Sequence, residues 1–99
     1  MRRGTTPTLK IYLMGIDPDE LKNIYVTMKQ RNIERTKTNN DIEIDGNVIS
    51  VPLSQEDTLD FSTGAIAVQI RATTHSGLAV ASAIKNVTVS EILKEGVIT

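Results

Sequence analysis

The clearest pattern in the chain is the run Asp41 to Leu53, DIEIDGNVISVPL, where two alternating apolar/polar stretches meet at Asp45-Gly46-Asn47. Alternation at period two is a strand signal, and Asp-Gly supplies the positive backbone angles that a tight, right-twisting turn needs. The run predicts a β-hairpin in which Ile42 and Ile44 share a face with Ile49 and Val51, all four in the core. Upstream, Leu9, Ile11 and Leu13 alternate within Thr8 to Met14, which predicts a first strand. Ile24, Val26 and Met28 alternate with Tyr25, Thr27 and Lys29 and predict a second, longer one. Arg31 to Thr38 is polar and weakly patterned, a strand running into a loop. Ala65 to Thr73 is the cleanest strand, with Ile66, Val68, Ile70 and Ala72 opposite Gln69, Arg71 and Thr73. His75-Ser76-Gly77 turns the chain, and Leu78 to Val89 returns with a break or bulge expected near Ala83.

Helical signals are confined to single turns. Asp17 can cap a turn with Pro18 at its first position, and Ser54-Gln55-Glu56-Asp57 has the form of a capping box. The second turn is expected to redirect the chain between layers and to tuck Leu59 and Phe61 into one end of the core. Such turns are too short for βαβ crossovers, which argues against a parallel sheet. Glu91 to Thr99 is compatible with either a short helix or a last strand. Six or seven strands, with turn signals about every 8–12 residues, predict an all-β fold. The expected architecture is a two-sheet antiparallel β-sandwich, immunoglobulin-like but without the disulfide and tryptophan of antibody domains. Residues 1–7 are small, polar and basic and read as a flexible N-terminal arm; residues 8–99 read as a single sandwich domain.

Composition narrows the chemistry. With no Trp, one Phe and two Tyr, a core for these 99 residues must be assembled from Ile, Val, Leu and Ala contributed by two layers. A net charge of −1 argues against a general nucleic-acid binder, which needs a basic face to neutralise phosphates, and gives no reason to expect a membrane surface as partner. The absence of cysteine removes thiol nucleophiles, disulfide frameworks and cysteine-ligated zinc. Met1-Arg2-Arg3 has the charge of a signal-peptide start, but Gly4 to Thr8 stands where an apolar segment would follow, so no export signal is read.

Each constellation of chemistry-bearing residues has a plainer account. Asp41, Glu43 and Asp45 project from one strand face, but a cation such as calcium wants roughly six to eight oxygens around it, and carboxylates in line surround an ion poorly. Glu56, Asp57 and Asp60 would join that row only if the fold brought them together. His75 is the single histidine and sits at a hairpin tip beside Ser76, without the geometry of a nucleophile pair. Lys29, Arg31, Arg35 and Lys37 form a basic run that reads as a solvated strand face. Asn86-Val87-Thr88 matches a glycosylation acceptor, a coincidence where no export signal precedes it. No catalytic, cofactor-binding or metal-binding residue is assigned, and no cofactor is expected.

The opening Arg2-Arg3-Gly4-Thr5-Thr6-Pro7-Thr8, the segment Leu53-Ser54-Gln55-Glu56-Asp57-Thr58-Leu59, the strand Val68-Gln69-Ile70-Arg71 and the ending Gly96-Val97-Ile98 form a combination carried by order and spacing. In this the chain resembles small proteins encoded by prophages of Gram-positive gut bacteria, tail- or baseplate-associated or of unassigned role. The resemblance implies a virion setting, with the bacterial cytoplasm as the place before assembly, and brings no catalytic or binding residues with it.

The expected function is therefore a non-enzymatic structural or interaction module of a phage particle. It would act through subunit assembly by sheet edges and the Arg2-Arg3 arm, with other phage structural proteins or further copies as partners. The alternative is a host-surface module binding glycan or protein through loops at one sandwich end. Glycan binding favours exposed aromatic platforms, and only Tyr12, Tyr25 and Phe61 are candidates. A hydrolase built on clustered carboxylates is a third, weaker class, because no paired-acid geometry is specified.

Overall fold

The computed structural model describes residues 1–99. Its strands are β1 (Thr8–Tyr12), β2 (Leu21–Gln30), β3 (Ile33–Lys37), β4 (Glu43–Asp45), β5 (Val48–Pro52), β6 (Gly64–Thr74), β7 (Ala79–Ala81) and β8 (Lys85–Val89). One helical turn, α1 (Gln55–Leu59), and two 3-10 turns, Pro18–Glu20 and Asn39–Asp41, interrupt them. The strands form two antiparallel sheets: one ordered β1-β5-β4, the other β3-β2-β6, with both β7 and β8 pairing β6. Packed together they make the all-β sandwich that the alternation predicts. The return segment Leu78 to Val89 is divided between β7 and β8, with the break at Ser82–Ile84 where a bulge is expected.

Alternation explains the core. Ile24, Val26 and Met28 of β2, Ile66, Val68, Ile70 and Ala72 of β6, and Val89 of β8 face inward from the larger sheet. Ile49 and Val51 of β5 meet them from the smaller sheet, while Leu53 and Phe61 join the same core from the segments around α1. Leu21 and Ile24 are both buried although an odd spacing should place them on opposite faces. The conflict is resolved by a bulge: the register against β6 shifts between Leu21 and Asn23, so that Lys22 is an extra residue. The β2 edge there lies beyond the end of β3, and the Asn39 side chain completes it. Asn39 Oδ1 accepts from Ile24 N at 2.7 Å, and its Nδ2 donates to the Lys22 carbonyl at 2.9 Å.

The β4–β5 hairpin forms as the pattern requires, pairing Asp45 with Val48 and Ile44 with Ile49. Gly46 is at φ +60 while Asn47 is not at positive φ, the arrangement of a type II′ rather than a type I′ turn. One part of the expectation fails. Ile49 and Val51 are fully buried and Ile42 partly so, but Ile44 is 45% exposed. β4 is a three-residue edge strand, so Ile44 lies on the core side with too little of the facing sheet above it.

The N-terminal segment is also not the free arm that its composition suggests. Arg2 forms a parallel bridge with Ser90, through Arg3 N to Ser90 O at 3.0 Å and Ser90 N to Met1 O at 2.6 Å. The Arg3 guanidinium donates to the Phe61 and Leu59 carbonyls at 2.7 and 3.2 Å and to Glu91 and Glu95 at 2.7 and 2.8 Å. Thr58 Oγ1 donates to Thr5 O at 2.9 Å, and Leu53 N to Pro7 O at 2.9 Å. A polar, basic segment becomes ordered here because its donors meet backbone acceptors at the end of the sandwich. Those acceptors lie 56 and 58 residues away in sequence, out of reach of a local reading.

Residues 91–99 are neither helix nor strand. Side chains fix them instead: Gln55 Nε2 donates to Ile98 O and Gln55 Oε1 accepts from Ile98 N, both at 2.9 Å.

Candidate interaction surface

The charged groups singled out in the sequence come together, but as partners for one another. Asp57 is 2% exposed at the third position of α1, where its carboxylate accepts from Ser54 N at 2.9 Å and Ser54 Oγ accepts from Asp57 N at 3.1 Å. This is the capping box expected from Ser54 to Asp57. Lys37 Nζ lies 2.8 Å from Asp57 and Arg35 Nη1 3.3 Å from it, while Arg35 also binds Asp60 through Nε at 2.8 Å. Alternation along β3 places both cations on its inward side, over the turn that carries the acids. Burial alone would raise the Asp57 pKa. The hydrogen bonds from Lys37 and from the Ser54 backbone and hydroxyl outweigh it and hold the carboxyl below its ordinary range.

A shallow cleft does place Asp57 beside Asp41 and Glu43, with Lys37 and Ser54 on the same lining. Asp41, however, is not on the strand. It closes a 3-10 turn, its carboxylate accepting from Thr38 N at 3.0 Å, so the in-line row of three acids does not form. No three carboxylates converge on a common point. Lys37 and Arg35 thus occupy the role a bound cation would have, and the basic run is divided between these ion pairs and exposed Lys29 and Arg31.

His75 is exposed at the β6–β7 turn, its backbone N donating to Glu20 O at 3.0 Å. The neighbouring Thr74 and Ser76 hydroxyls are 2.9 Å apart and bond to each other rather than to the imidazole. Of the three candidate aromatics, Phe61 is fully buried. Tyr12 and Tyr25 are exposed, but strand alternation points one out of the small sheet and the other out of the large sheet. They cannot form a shared stacking platform.

The feature that sequence reading missed lies on the side of the sandwich where β1 and the β7–β8 break face each other. Between them opens a groove of about 390 Å³. One wall is Ile11 to Met14 with Ile16; the other is the Val68–Ile70 stretch of β6 and the interrupted strand from Ala81 to Ala83. The break itself is built by Ser82. Ser82 N donates to Ile70 O at 2.8 Å, Ser82 Oγ accepts from Ile70 N at 3.0 Å, and Gln69 Nε2 donates to Ser82 O at 3.0 Å. These bonds satisfy the β6 backbone where no strand covers it, so the gap is open to side chains without leaving orphaned peptide groups. Met14, 89% exposed, lies on the lining beside exposed Tyr12, and Ile84, 63% exposed, stands in the chain between the lining residues Ala83 and Lys85. Lys85 is the one charged residue of the lining.

The groove is flanked by strand edges. The outer edge of β8 is completed only at its far end, by the bridge to Arg2 and by the Met1 amino group donating to Thr88 O at 2.7 Å. The outer edge of β1, at the margin of its sheet, pairs with no other strand. Met14 and Ile84 fall within the predicted strands Thr8 to Met14 and Leu78 to Val89, so the sequence carries no local signal for this surface, and the meeting of its two walls depends on tertiary structure.

No helix of the structure is long and apolar enough to cross a membrane. Comparison with models of known protein families, with curated proteins and with solved structures finds no match for the chain.

Proposed function

We propose that the chain is a non-enzymatic interaction module that acts through subunit assembly, in the tail- or baseplate-associated setting that its resemblance to prophage-encoded proteins implies. The observation that carries the assembly part is the apolar groove between β1 and the β7–β8 break, with Tyr12 and Met14 exposed on its lining. Apolar side chains held in water beside unpaired strand edges favour a protein partner, which supplies apolar area and backbone hydrogen bonds together. The phage setting rests on the resemblance alone.

The N-terminal segment is not the contact element in this proposal, because its polar groups are already engaged within the fold. The partner surface is the groove side of the sandwich. The test is mass spectrometry of particles purified after prophage induction. Recovery of the chain at a fixed ratio to the other structural proteins is the expected result; its absence from the particles would overturn the proposal.

A further inference from the structure

β1, a five-residue strand, ends the smaller sheet with its outer edge bare. The other margins of the sandwich are guarded. β4 and β7 are only three residues long. β3 turns the charged Arg35 and Lys37 inward over α1. β8 is interrupted before its start and is covered at its end by Met1 and Arg2. Short strands, inward charges and covering segments each keep a sheet edge from taking another strand. β1 has none of them: its inward residues, Leu9 and Ile11, are apolar and packed against the core, and its register is regular throughout.

The ladder to β5 shows which backbone groups of β1 are free. Leu13 N donates to Asn47 O at 2.8 Å, and Pro7 O accepts from Leu53 N at 2.9 Å. Antiparallel strands bond at alternate residues, so Leu9 and Ile11, opposite Val51 and Ile49, also turn their polar groups towards β5. Thr8, Lys10 and Tyr12 turn theirs to the open edge. On the solvent face of the same strand Tyr12 is 62% exposed. Lys10 stands two residues from it, and the ion pairs of the fold use Arg3, Arg35 and Lys37 and leave Lys10 free.

We propose that β1 pairs antiparallel with β1 of a second copy about a two-fold axis at Ile11, joining the two three-stranded sheets into one. In that register Lys10 faces Tyr12 of the second copy and Tyr12 faces its Lys10, which sets a cation against an aromatic ring on both sides of the axis. On the core side Ile11 faces its counterpart and Leu9 faces Leu13, aliphatic pairs of the kind that stabilise neighbouring strands. The outward backbone groups of Lys10 and Tyr12 then bond to each other across the axis. Centring the axis on Lys10 instead would set two lysines directly opposite, a like-charge pair that disfavours that register. The strand is thus complementary to itself, and this identifies the partner as a second copy. The inference rests on the assembly reading above and places its first contact at the β1 edge. Because the contact is isologous, it closes at a dimer.

Analytical ultracentrifugation of the full chain over a rising concentration series tests it. The mean mass of the wild type is expected to rise with concentration and to level off at that of a dimer. Tyr12→Lys, at an exposed position, sets lysine against Lys10 twice and is expected to raise the dissociation constant about tenfold or more. Adding Lys10→Glu to that variant sets an acid opposite each new lysine and is expected to restore the dimer. Circular dichroism should be the same for all three proteins. A wild type that stays monomeric, a mass that grows past the dimer, or a double variant that associates no better than Tyr12→Lys would each overturn the inference. A chain that is monomeric alone yet present in purified particles overturns this contact and leaves the assembly proposal standing. A dimeric chain absent from particles does the reverse.

Discussion

Lys37 Nζ lies 2.8 Å from the carboxylate of Asp57, the one acidic side chain of the protein that is buried. The pair joins edge strand β3 to the capped turn α1, and Arg35 adds a second link at 3.3 Å to Asp57 and a third to Asp60. Removing the acid takes away the bond its carboxylate accepts from Ser54 N, one half of the capping box, and leaves Lys37, whose side chain is 20% exposed, without its counter-charge. Asp57→Ala is expected to lower the stability by about 3 kcal/mol. Lys37→Met, which keeps the apolar stem, is expected to cost less, because Arg35 and Ser54 still hold the acid. Urea unfolding of the two variants checks the order.

The same carboxylate sets an acid limit. Its folded-state pKa is depressed, so the stabilisation it gives is present above the unfolded-state pKa of about 4 and is lost as pH falls through the lower folded value. Glu91 is depressed too, by the Ile92 amide, Arg3 and Thr63, and acts in the same direction. The thermal midpoint is expected to be flat above about pH 5 and to fall below about pH 4. In Asp57→Asn the midpoint should start lower and fall less steeply. An equal slope in wild type and variant would contradict this assignment.

Gln30 and Ser62 form a second two-point contact, Gln30 Nε2 donating to Ser62 O and Ser62 N donating to Gln30 Oε1, both at 2.8 Å. Gln30 is the buried last residue of β2 and holds the loop that delivers Phe61 to the core. Gln30→Ala is expected to cost about 2 kcal/mol, the loss of two hydrogen bonds at a partly buried site. Amide hydrogen exchange at Ser62 should accelerate in the variant.

Gly4 distinguishes an ordered N-terminal segment from a loose one. Its φ is +69, and a Cβ would meet Ile92 at 2.9 Å and Leu59 at 3.3 Å. Gly4→Ala is expected to destabilise the protein by about 1–2 kcal/mol, through strain at positive φ and displacement of Ile92. For a flexible arm the same substitution would be neutral, so the thermal midpoint separates the two cases.

Period-two alternation made most of the sheet readable, because it reports which face of a strand meets the core. It does not report whether anything lies above that face, which is why Ile44 on a three-residue edge strand is half-exposed while its partner Ile49 is buried. β3 was obscured for a different reason. It turns back from β2 through Arg31 at φ +55, and arginine carries no turn signal. The capping box was legible at Ser54 to Asp57 because its partners are three residues apart. The Lys37 and Arg35 pairings to Asp57, the fixing of Arg3 and the groove were not, since each joins segments far apart in the chain.

Assembly through the groove side is the central claim, and the absence of native cysteine allows a direct measurement. Ala83→Cys places one thiol on the groove lining, and Asn40→Cys places one at an exposed turn elsewhere. Each variant is alkylated with a maleimide, as the isolated chain and within the assembled particle. Both thiols should react fully in the isolated chain. In the particle, protection at position 83 with full reaction at position 40 is the expected result. Full alkylation at both positions in the particle would contradict the claim.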